Sequence, residues 1–162
     1  MNQNQSNLNE EEIGKIILDS AFKVHTTLGP GFLESVYEAA LTIELSKHGL
    51  LVERQKPISV VYDGHQLEVA FRADLIVNHL VLVELKSVET VTALFKKTVT
   101  NYLKLIPLRL GFLINFNETH LKNGIIRVTN GLEGKDFFNP PPDISRIDFQ
   151  KPSRPSRSSR DI

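Results

Sequence analysis

Two charged residues interrupt an otherwise apolar stretch, VLVELKS, at Val81 to Ser87. Glu84 and Lys86 are two positions apart, so in a β-strand their side chains point to the same face of the sheet. A charge without a partner is costly to bury. A function that requires these two charges would explain their position, and its chemistry depends on which other charged groups lie nearby.

A second pair of charged residues, Arg72 and Asp74, lies in the preceding run FRADLIV. If residues 78–80 form a three-residue hairpin loop, Asp74 and Glu84 face the same side of the sheet, whereas a two-residue loop would separate them. The odd loop predicts two distinct faces. The polar face carries Arg72, Asp74, Glu84 and Lys86, and the apolar face carries Phe71, Ala73, Leu75, Val81, Val83 and Leu85.

Two neighbouring carboxylates with a lysine beside them can support metal-assisted hydrolysis of a phosphodiester. The carboxylates repel each other unless a cation lies between them, and Mg²⁺ and Mn²⁺ prefer oxygen ligands. Lys86 could orient or deprotonate a water and stabilise charge on a phosphate. The spacing leaves a second interpretation open, in which Arg72, Asp74, Glu84 and Lys86 form an ion-pair cluster with no net charge.

The elements that must hold these residues follow from the pattern of apolar positions. Asn9 and Glu12 predict the capped start of a helix that ends at residues 29–31, and a second helix is predicted from about Leu33 to His48. The full predicted order, ααββββαββ, indicates an α/β fold with a mixed central β-sheet flanked by helices. The later strands are predicted at 51–55, 58–62, 68–77, 81–86, 109–116 and 125–129, with a third helix at 90–105.

Composition predicts one globular domain without a strong overall electrostatic field. The 162 residues include 19 basic and 19 acidic ones, so binding of nucleic acid would require a local basic patch. The chain has no cysteine, which excludes disulfides, thiol catalysis and zinc–thiolate sites. The sequence also predicts a flexible N-terminus at 1–8, a domain at 9–133 and a disordered Pro/Ser/Arg-rich tail at 134–162.

The start of the chain, MNQNQSNLNEEE, has neither the basic nor the apolar region of a signal peptide. No apolar run approaches the roughly 20 residues that cross a bilayer. The sequence therefore predicts a cytoplasmic protein with no membrane association.

A further motif lies at residues 29–41, GPGFLESVYEAAL, which contains Gly31-x-x-Glu34-x-x-Tyr37. With ERQKPISVVYDG, FRADLIV, VLVELKSVE, NYLKL and RLGFLINF, the chain resembles the GxxExxY protein family over about residues 11–130. That family is similar to the PD-(D/E)xK nuclease superfamily, whose core is a mixed sheet flanked by helices. The resemblance implies the acidic metal ligands Glu34, Asp74 and Glu84, with Glu84 and Lys86 as the E-x-K pair.

One departure from the nuclease pattern lies in the third predicted helix. Nuclease relatives often carry Gln-x-x-x-Tyr there, whereas this chain has Tyr102 with Thr98 at the glutamine position. The hydroxyl of Thr98 has a shorter reach, which favours weaker activity. Simpler structural roles also remain open: Tyr37 and Tyr102 can pack in the core, and Glu34 can interact favourably with the dipole of its helix.

The leading interpretation is a Mg²⁺- or Mn²⁺-dependent nuclease that acts on DNA in preference to RNA. The catalytic set is Glu34, Asp74, Glu84 and Lys86, of which the three carboxylates hold the metal. Substrate contacts are predicted from Arg72, Tyr102, Lys97 and Lys104, although the two lysines can equally belong to a solvated helix face. Alternatives are a catalytically weak or inactive module that binds nucleic acid or a protein, and the purely structural ion-pair cluster.

Overall fold

The structure is a computed structural model that describes residues 8–132, except for the side chains of residues 69 and 70. The predicted tail at 134–162 and all but the last residue of the predicted flexible segment 1–8 lie outside these residues. Three helices and five strands follow one another in the order ααβββαββ. They are α1 (Glu10–Leu28), α2 (Glu34–Lys47), β1 (Val52–Tyr62), β2 (His65–Val77), β3 (Val81–Lys86), α3 (Ala93–Leu105), β4 (Leu110–Asn115) and β5 (Ile125–Thr129).

The ends of α1 follow the sequence signals. Asn9 accepts a hydrogen bond from the backbone N–H of Glu12, whose carboxylate accepts in turn from the backbone N–H of Asn9. At the other end Gly29 has φ +69°, a conformation that glycine adopts without the steric cost of a Cβ. The predicted capping box and the predicted end of the helix are therefore confirmed.

β1 is one strand, where the sequence predicted two, at 51–55 and 58–62. Pro57 is accommodated because β1 lies at the edge of the sheet, where a residue without an N–H does not remove a required hydrogen bond. The register with β2 shifts between Ser59 and Val61, and a second irregularity lies at Gln55, which has φ +48°. The strand continues through this residue and remains paired with β2 on both sides of it.

The five strands form one mixed sheet in the order β1-β2-β3-β4-β5. β3 and β4 are parallel and are joined by the crossover helix α3, while the other neighbouring pairs are antiparallel. The fold class predicted from the sequence, an α/β fold with a mixed sheet and flanking helices, is confirmed.

Helices cover both faces of this sheet. On one face α1 and α2 pack through Ile13, Ile17 and Leu41 against alternate residues of the central strands, among them Val83 and Phe112. On the other face α3 packs through Val99, Tyr102 and Leu103 against Ile76, Leu82 and Leu113. Because β3 and β4 are covered on both sides, their side chains are buried almost without exception, as is usual for parallel strands.

No helix within residues 8–132 is long and apolar enough to cross a membrane.

Gly124 provides a test of the packing below the end of β4. A Cβ at this position would lie 2.4 Å from the backbone oxygen of Asn115, a contact that only a backbone shift could relieve. We expect Gly124→Ala to lower the free energy of unfolding by about 1–3 kcal/mol in urea denaturation. Lys122→Ala, an exposed change in the same turn, is the matched control. Equal midpoints for the two variants would contradict this account.

Candidate active site

The loop between β2 and β3 fixes which side chains share a face. Residues 78–80 form the predicted three-residue loop, and both Asn78 and His79 adopt positive φ angles, of 50° and 57°. The register pairs Val77 with Val81 and Leu75 with Val83. Ile76 pairs with Leu82, and continuing this register by two residues brings Asp74 opposite Glu84, so the odd-length loop on which their shared face depends is confirmed.

Asp74 lies where β2 separates from β3. Backbone pairing between the strands covers residues 75–77, whereas β3 remains paired with β4 as far as Lys86. Asp74 Oδ2 accepts a hydrogen bond of 2.8 Å from the backbone N–H of Leu85. The carboxylate therefore satisfies a donor that the departing strand leaves behind, and this bond sets its position beside Glu84.

Glu84 is a buried carboxylate with one oxygen that has no partner. Its exposed fraction is 6%, and Oε1 accepts from Lys86 Nζ at 3.1 Å. Oε2 is buried and has no hydrogen-bond partner among the described residues. Burial, reinforced by the negative charge of Asp74, raises the pKa of Glu84 to about 7, although Lys86 and the backbone of Asp74 offset part of the rise.

Burial also raises the pKa of two neighbouring groups, Asp74 and Tyr102. Burial raises the pKa of Asp74, and the Leu85 N–H, Lys86 and Gln55 counter that rise. Burial and then the charges of Glu84 and Asp74 also raise the pKa of Tyr102. Lys86, whose Nζ lies 5.2 Å from the centre of the Phe95 ring, is the cation that these carboxylates face.

A second buried carboxylate, Glu38 of α2, was not predicted to belong to this region. It is 7% exposed and accepts hydrogen bonds from Arg54 Nε at 2.8 Å and Gln55 Nε2 at 2.7 Å. Gln55 Nε2 also lies 3.2 Å from Asp74 Oδ1, so its amide connects the two carboxylates. Glu38 follows Glu34 by one helical turn, which was the available signal, but the bridge depends on the positive φ of Gln55.

Arg72 does not share the face of the two carboxylates, contrary to the sequence prediction. Phe71 contacts Tyr102, and Ala73 packs with the residues beneath α3, so both lie on the face that Glu84 also occupies. Arg72, between them, points to the opposite face and has no ion-pair partner within residues 8–132. The alternation changes opposite Gln55, so Phe71 and Ala73 were also assigned to the wrong face.

Glu34, the first residue of α2, lies at the C-terminal end of β3. Its Oε1 accepts from the backbone N–H of Ser87 at 3.4 Å, and the Ser87 hydroxyl donates to Phe32 O at 2.6 Å. Within residues 8–132 no group of three or more His, Cys, Asp or Glu side chains could hold a metal ion. The structure thus brings Asp74 and Glu84 together and places Glu34 beside Ser87, which follows the end of β3.

Tyr37 organises the turn that precedes Glu34. Its hydroxyl donates to Gly29 O at 2.6 Å and accepts from the Phe32 N–H at 3.1 Å. Its ring is fully buried and stacks on Phe116 with centroids 4.5 Å apart. The glycine of the motif, Gly31, has φ +100°, which favours glycine. The motif therefore fixes the turn by which the chain enters α2, and Tyr37 has the structural role.

The helix α3 carries three of the predicted substrate contacts. Tyr102 is 8% exposed and packs in the same buried cluster as Ala73 and Leu82, which lie on β2 and β3 close to Asp74 and Glu84. Lys97 and Lys104 are exposed, seven residues apart and therefore on one side of the helix. The Thr98 hydroxyl donates to Leu94 O of the preceding turn at 3.0 Å, so it is engaged within the helix.

Asn115, at the end of β4, was missed by the sequence analysis. Its buried side chain accepts from the Val88 N–H at 3.1 Å and donates to Val88 O at 2.9 Å. Since Asn115 also pairs with Lys86 in the sheet, it ties the segment that follows the E-x-K residues to the core. An asparagine inside an apolar run, RLGFLINF, was the signal that could have revealed it.

The residues present fit a hard divalent cation. Asp74 and Glu84 supply carboxylate oxygens. Glu84 Oε2 is buried and accepts no hydrogen bond from any residue in the described part of the chain. Mg²⁺ and Mn²⁺ bind through one or two carboxylates and retain several waters, so two protein carboxylates are a sufficient donor set. Such an ion would also relieve the repulsion that contributes to the raised pKa of Glu84.

Comparison with known proteins identifies one family. The sequence profile of the PD-(D/E)XK nuclease superfamily matches residues 11–128, which include all three helices except the first residue of α1, and all but the last residue of β5. No curated protein matches the chain. No solved structure matches it.

The buried Glu84 makes the stability of the metal-free protein depend on pH. The pKa of Glu84 in the folded protein, about 7, lies above the ordinary 4.5. Its contribution to the free energy of unfolding is therefore fully present below pH 4.5 and is lost as the pH rises through 7. The loss corresponds to about 3 kcal/mol. We expect the free energy of unfolding, measured by urea denaturation in a chelator, to fall over this range in the wild type and much less in Glu84→Gln.

Glu44→Gln is the matched control for this titration. Lys23 and Lys47 lower the pKa of Glu44, so its contribution is lost only as the pH falls below its ordinary range. The control should therefore keep the wild-type slope near neutral pH. A slope that is the same in Glu84→Gln as in Glu44→Gln would refute the assignment to Glu84.

Tyr37 can be tested separately from its ring packing. Tyr37→Phe keeps the stack on Phe116 but leaves Gly29 O and the Phe32 N–H without their partner. We expect the free energy of unfolding to fall by about 1–3 kcal/mol in urea denaturation. Tyr62→Phe, on the exposed end of the β1–β2 hairpin, is the control and should change little. An unaltered midpoint in Tyr37→Phe would show that the hydroxyl does not hold the turn.

Proposed function

Since the chain belongs to the PD-(D/E)XK nuclease superfamily, we propose that it is a divalent-metal-dependent nuclease that hydrolyses phosphodiester bonds, with DNA as the preferred substrate. We also place it in the GxxExxY group of that superfamily on the strength of Gly31, Glu34 and Tyr37. The observation that carries the proposal is the meeting of Asp74 and Glu84 where β2 leaves β3, with Lys86 alongside.

The proposed ligands of Mg²⁺ or Mn²⁺ are Asp74 and Glu84, with Glu34 near enough to the strand end to act through an intervening water. When bound, the ion would supply Lewis-acid stabilisation of the negative charge on the phosphate. Glu84 would be held ionised by that charge despite its burial. Glu84 Oε2 has no hydrogen-bond partner among the described residues, so it is the oxygen available to bind the ion.

Lys86 has a distinct part in the proposed reaction. Its ammonium is largely shielded from solvent and lies against Glu84 on one side and the Phe95 ring on the other, so few orientations are open to it. A cation held in this way stabilises charge that develops on a phosphate oxygen and orients an attacking water. Its hydrogen bond to Glu84 keeps it directed at the site.

Substrate binding is proposed to involve α3. Lys97 and Lys104 present two positive charges on one side of this helix, where they could neutralise phosphates that flank the site. Tyr102 would pack between the helix and the substrate. Arg72, on the opposite face of the sheet, could contact only a more distant part of the nucleic acid.

One specific observation favours a second candidate, a module that binds nucleic acid or a protein with little or no cleavage. The Thr98 hydroxyl is engaged with Leu94 O and stands where nuclease relatives often have glutamine. Glu34 bonds to the Ser87 N–H, and within residues 8–132 no group of three or more His, Cys, Asp or Glu side chains could hold a metal ion. A site with fewer polar groups around the phosphate could bind nucleic acid but would lack some of the groups needed to cleave it.

The proposed activity is tested with labelled single-stranded DNA, duplex DNA and RNA in Mg²⁺ and Mn²⁺. We expect metal-dependent cleavage that falls about 10²- to 10³-fold in Asp74→Asn, Glu84→Gln and Lys86→Ala, because each removes a group that acts on the developing charge. Lys122→Ala, an exposed lysine in the turn between β4 and β5, should retain full activity.

Two outcomes bear on the two candidate functions. Cleavage that survives Lys86→Ala or persists in a chelator would refute the proposed site. Mn²⁺ binding by calorimetry with no cleavage of any substrate would support the binding module. Glu34→Gln should reduce activity less than Asp74→Asn, since the Glu34 carboxylate bonds to the backbone of Ser87.

A further inference from the structure

A groove runs between the β1–β2 hairpin and α3. Its volume is about 330 Å³, at the lower end of the range for small-ligand sites. Val60 and Phe71 form the hairpin wall, and Thr98, Asn101, Tyr102 and Lys104 belong to the helix wall. We call it the hairpin groove. It exists because β1 and β2 extend well beyond the short stretch of β2 that pairs with β3, so the hairpin projects alongside α3.

The walls of the hairpin groove combine aromatic surface with a few polar groups. Phe71 is 50% exposed, a large fraction for an aromatic ring. Its centroid lies 5.6 Å from that of Tyr102, and the planes are inclined at 49°, so the Phe71 ring is supported from one side. Asn101 adds an amide, which can both donate and accept hydrogen bonds. Lys104 adds a positive charge at the helix wall.

This combination matches the chemistry of a nucleotide. A nucleobase has two flat π-faces, an edge of donors and acceptors, and a phosphate attached through the sugar. Aromatic side chains bind the face, amide side chains can bind the edge, and basic residues neutralise the phosphate. An acidic peptide would use the lysine but would leave the exposed aromatic surface without a flat partner.

The hairpin groove adjoins the carboxylates of the candidate active site. Tyr102 lines the groove and packs in the same buried cluster as Ala73, which precedes Asp74, and Leu82, which lies two positions before Glu84. A group bound against Phe71 and Tyr102 would therefore lie beside the position proposed for the phosphate. The second groove of the described structure, between α1 and α2, has a volume of about 150 Å³ and is lined by no aromatic residue.

We propose that the hairpin groove binds an unpaired nucleobase next to the phosphate that is cleaved, with the base stacked on Phe71. The inference rests on the proposed nuclease function and narrows its substrate to single-stranded nucleic acid or to a site where a nucleotide is unpaired. In a duplex both faces of a base are covered by its neighbours, so a base must leave the stack before it can contact Phe71.

Binding of oligonucleotides tests the hairpin groove without requiring cleavage. Fluorescence anisotropy with a labelled single-stranded oligonucleotide, in the Lys86→Ala background to prevent turnover, compares three changes at one position. Phe71→Ala should weaken binding about 5- to 150-fold, which corresponds to the loss of one stacked base. Phe71→Trp should retain binding because it keeps a π-face. Phe71→Leu, which keeps apolar volume without a π-face, should behave like the alanine variant.

Tyr62→Ala is the matched control. Tyr62 is an aromatic residue on the same hairpin, 70% exposed and outside the groove lining, so its loss should leave binding unchanged. Phe71 is half exposed, and its substitution should not prevent folding, which circular dichroism verifies. A blunt duplex of the same sequence should bind more weakly than the single strand and should show no dependence on Phe71.

An oligonucleotide with one abasic position identifies the stacked base itself. Moving the abasic position along the strand should reveal one site at which the loss weakens binding to the parent protein by the same factor as Phe71→Ala. At that site the abasic change should cost nothing further in Phe71→Ala, because the two partners of one contact have then both been removed. Fully additive losses at every position would overturn the proposal.

The outcomes separate this inference from the proposed function. Cleavage that is lost in Asp74→Asn but is indifferent to Phe71 would refute the hairpin groove and leave the nuclease intact. Binding that depends on Phe71 and one base, without cleavage by the wild type, would support the groove and refute the nuclease. No binding of any oligonucleotide, or a dimer that dissociates in Phe71→Ala while oligonucleotide binding is unchanged, would overturn the groove as a nucleobase site.

Discussion

The hydrogen bond from the Leu85 N–H to Asp74 is the interaction on which the site depends. β2 can leave β3 only if the donors that it abandons find another acceptor, since an unpaired backbone group in the interior is costly. The Asp74 carboxylate is that acceptor. The same bond that permits the strands to separate therefore brings a second negative group against the buried Glu84.

Negative charge is in excess where β2 separates from β3. Glu84 shares one oxygen with Lys86 and leaves the other without a partner, while Gln55 connects Asp74 to a further buried carboxylate, Glu38. A closed ion-pair cluster would leave no such orphaned acceptor, and Arg72, its expected fourth member, is on the opposite face. Excess negative charge in a partly shielded site is the arrangement that favours a bound cation.

The turn before α2 and the segment after β3 hold the two ends of the site in place. Tyr37 fixes the turn from which Glu34 begins its helix, and the Ser87 hydroxyl bonds to Phe32 O in the same turn. Asn115 ties Val88 to the core on the other side. The conformation around Lys86 is thus determined by groups from α2, β4 and the intervening turns, which explains why motif residues so far apart in the chain act on one strand end.

The sequence by itself determined most of the helices and strands and the odd-length loop that brings Asp74 beside Glu84. Capping residues, alternating apolar positions and a loop of odd length are local signals, because hydrogen bonding within a helix or hairpin involves residues close in the chain. Only the tertiary structure decided the face of Arg72, the bridge from Glu38 through Gln55 and the groove beside Phe71. Each depends on the conformation at Gln55 and on the packing of α3 across the sheet, where residues distant in sequence compete for the same space and no local pattern records the outcome.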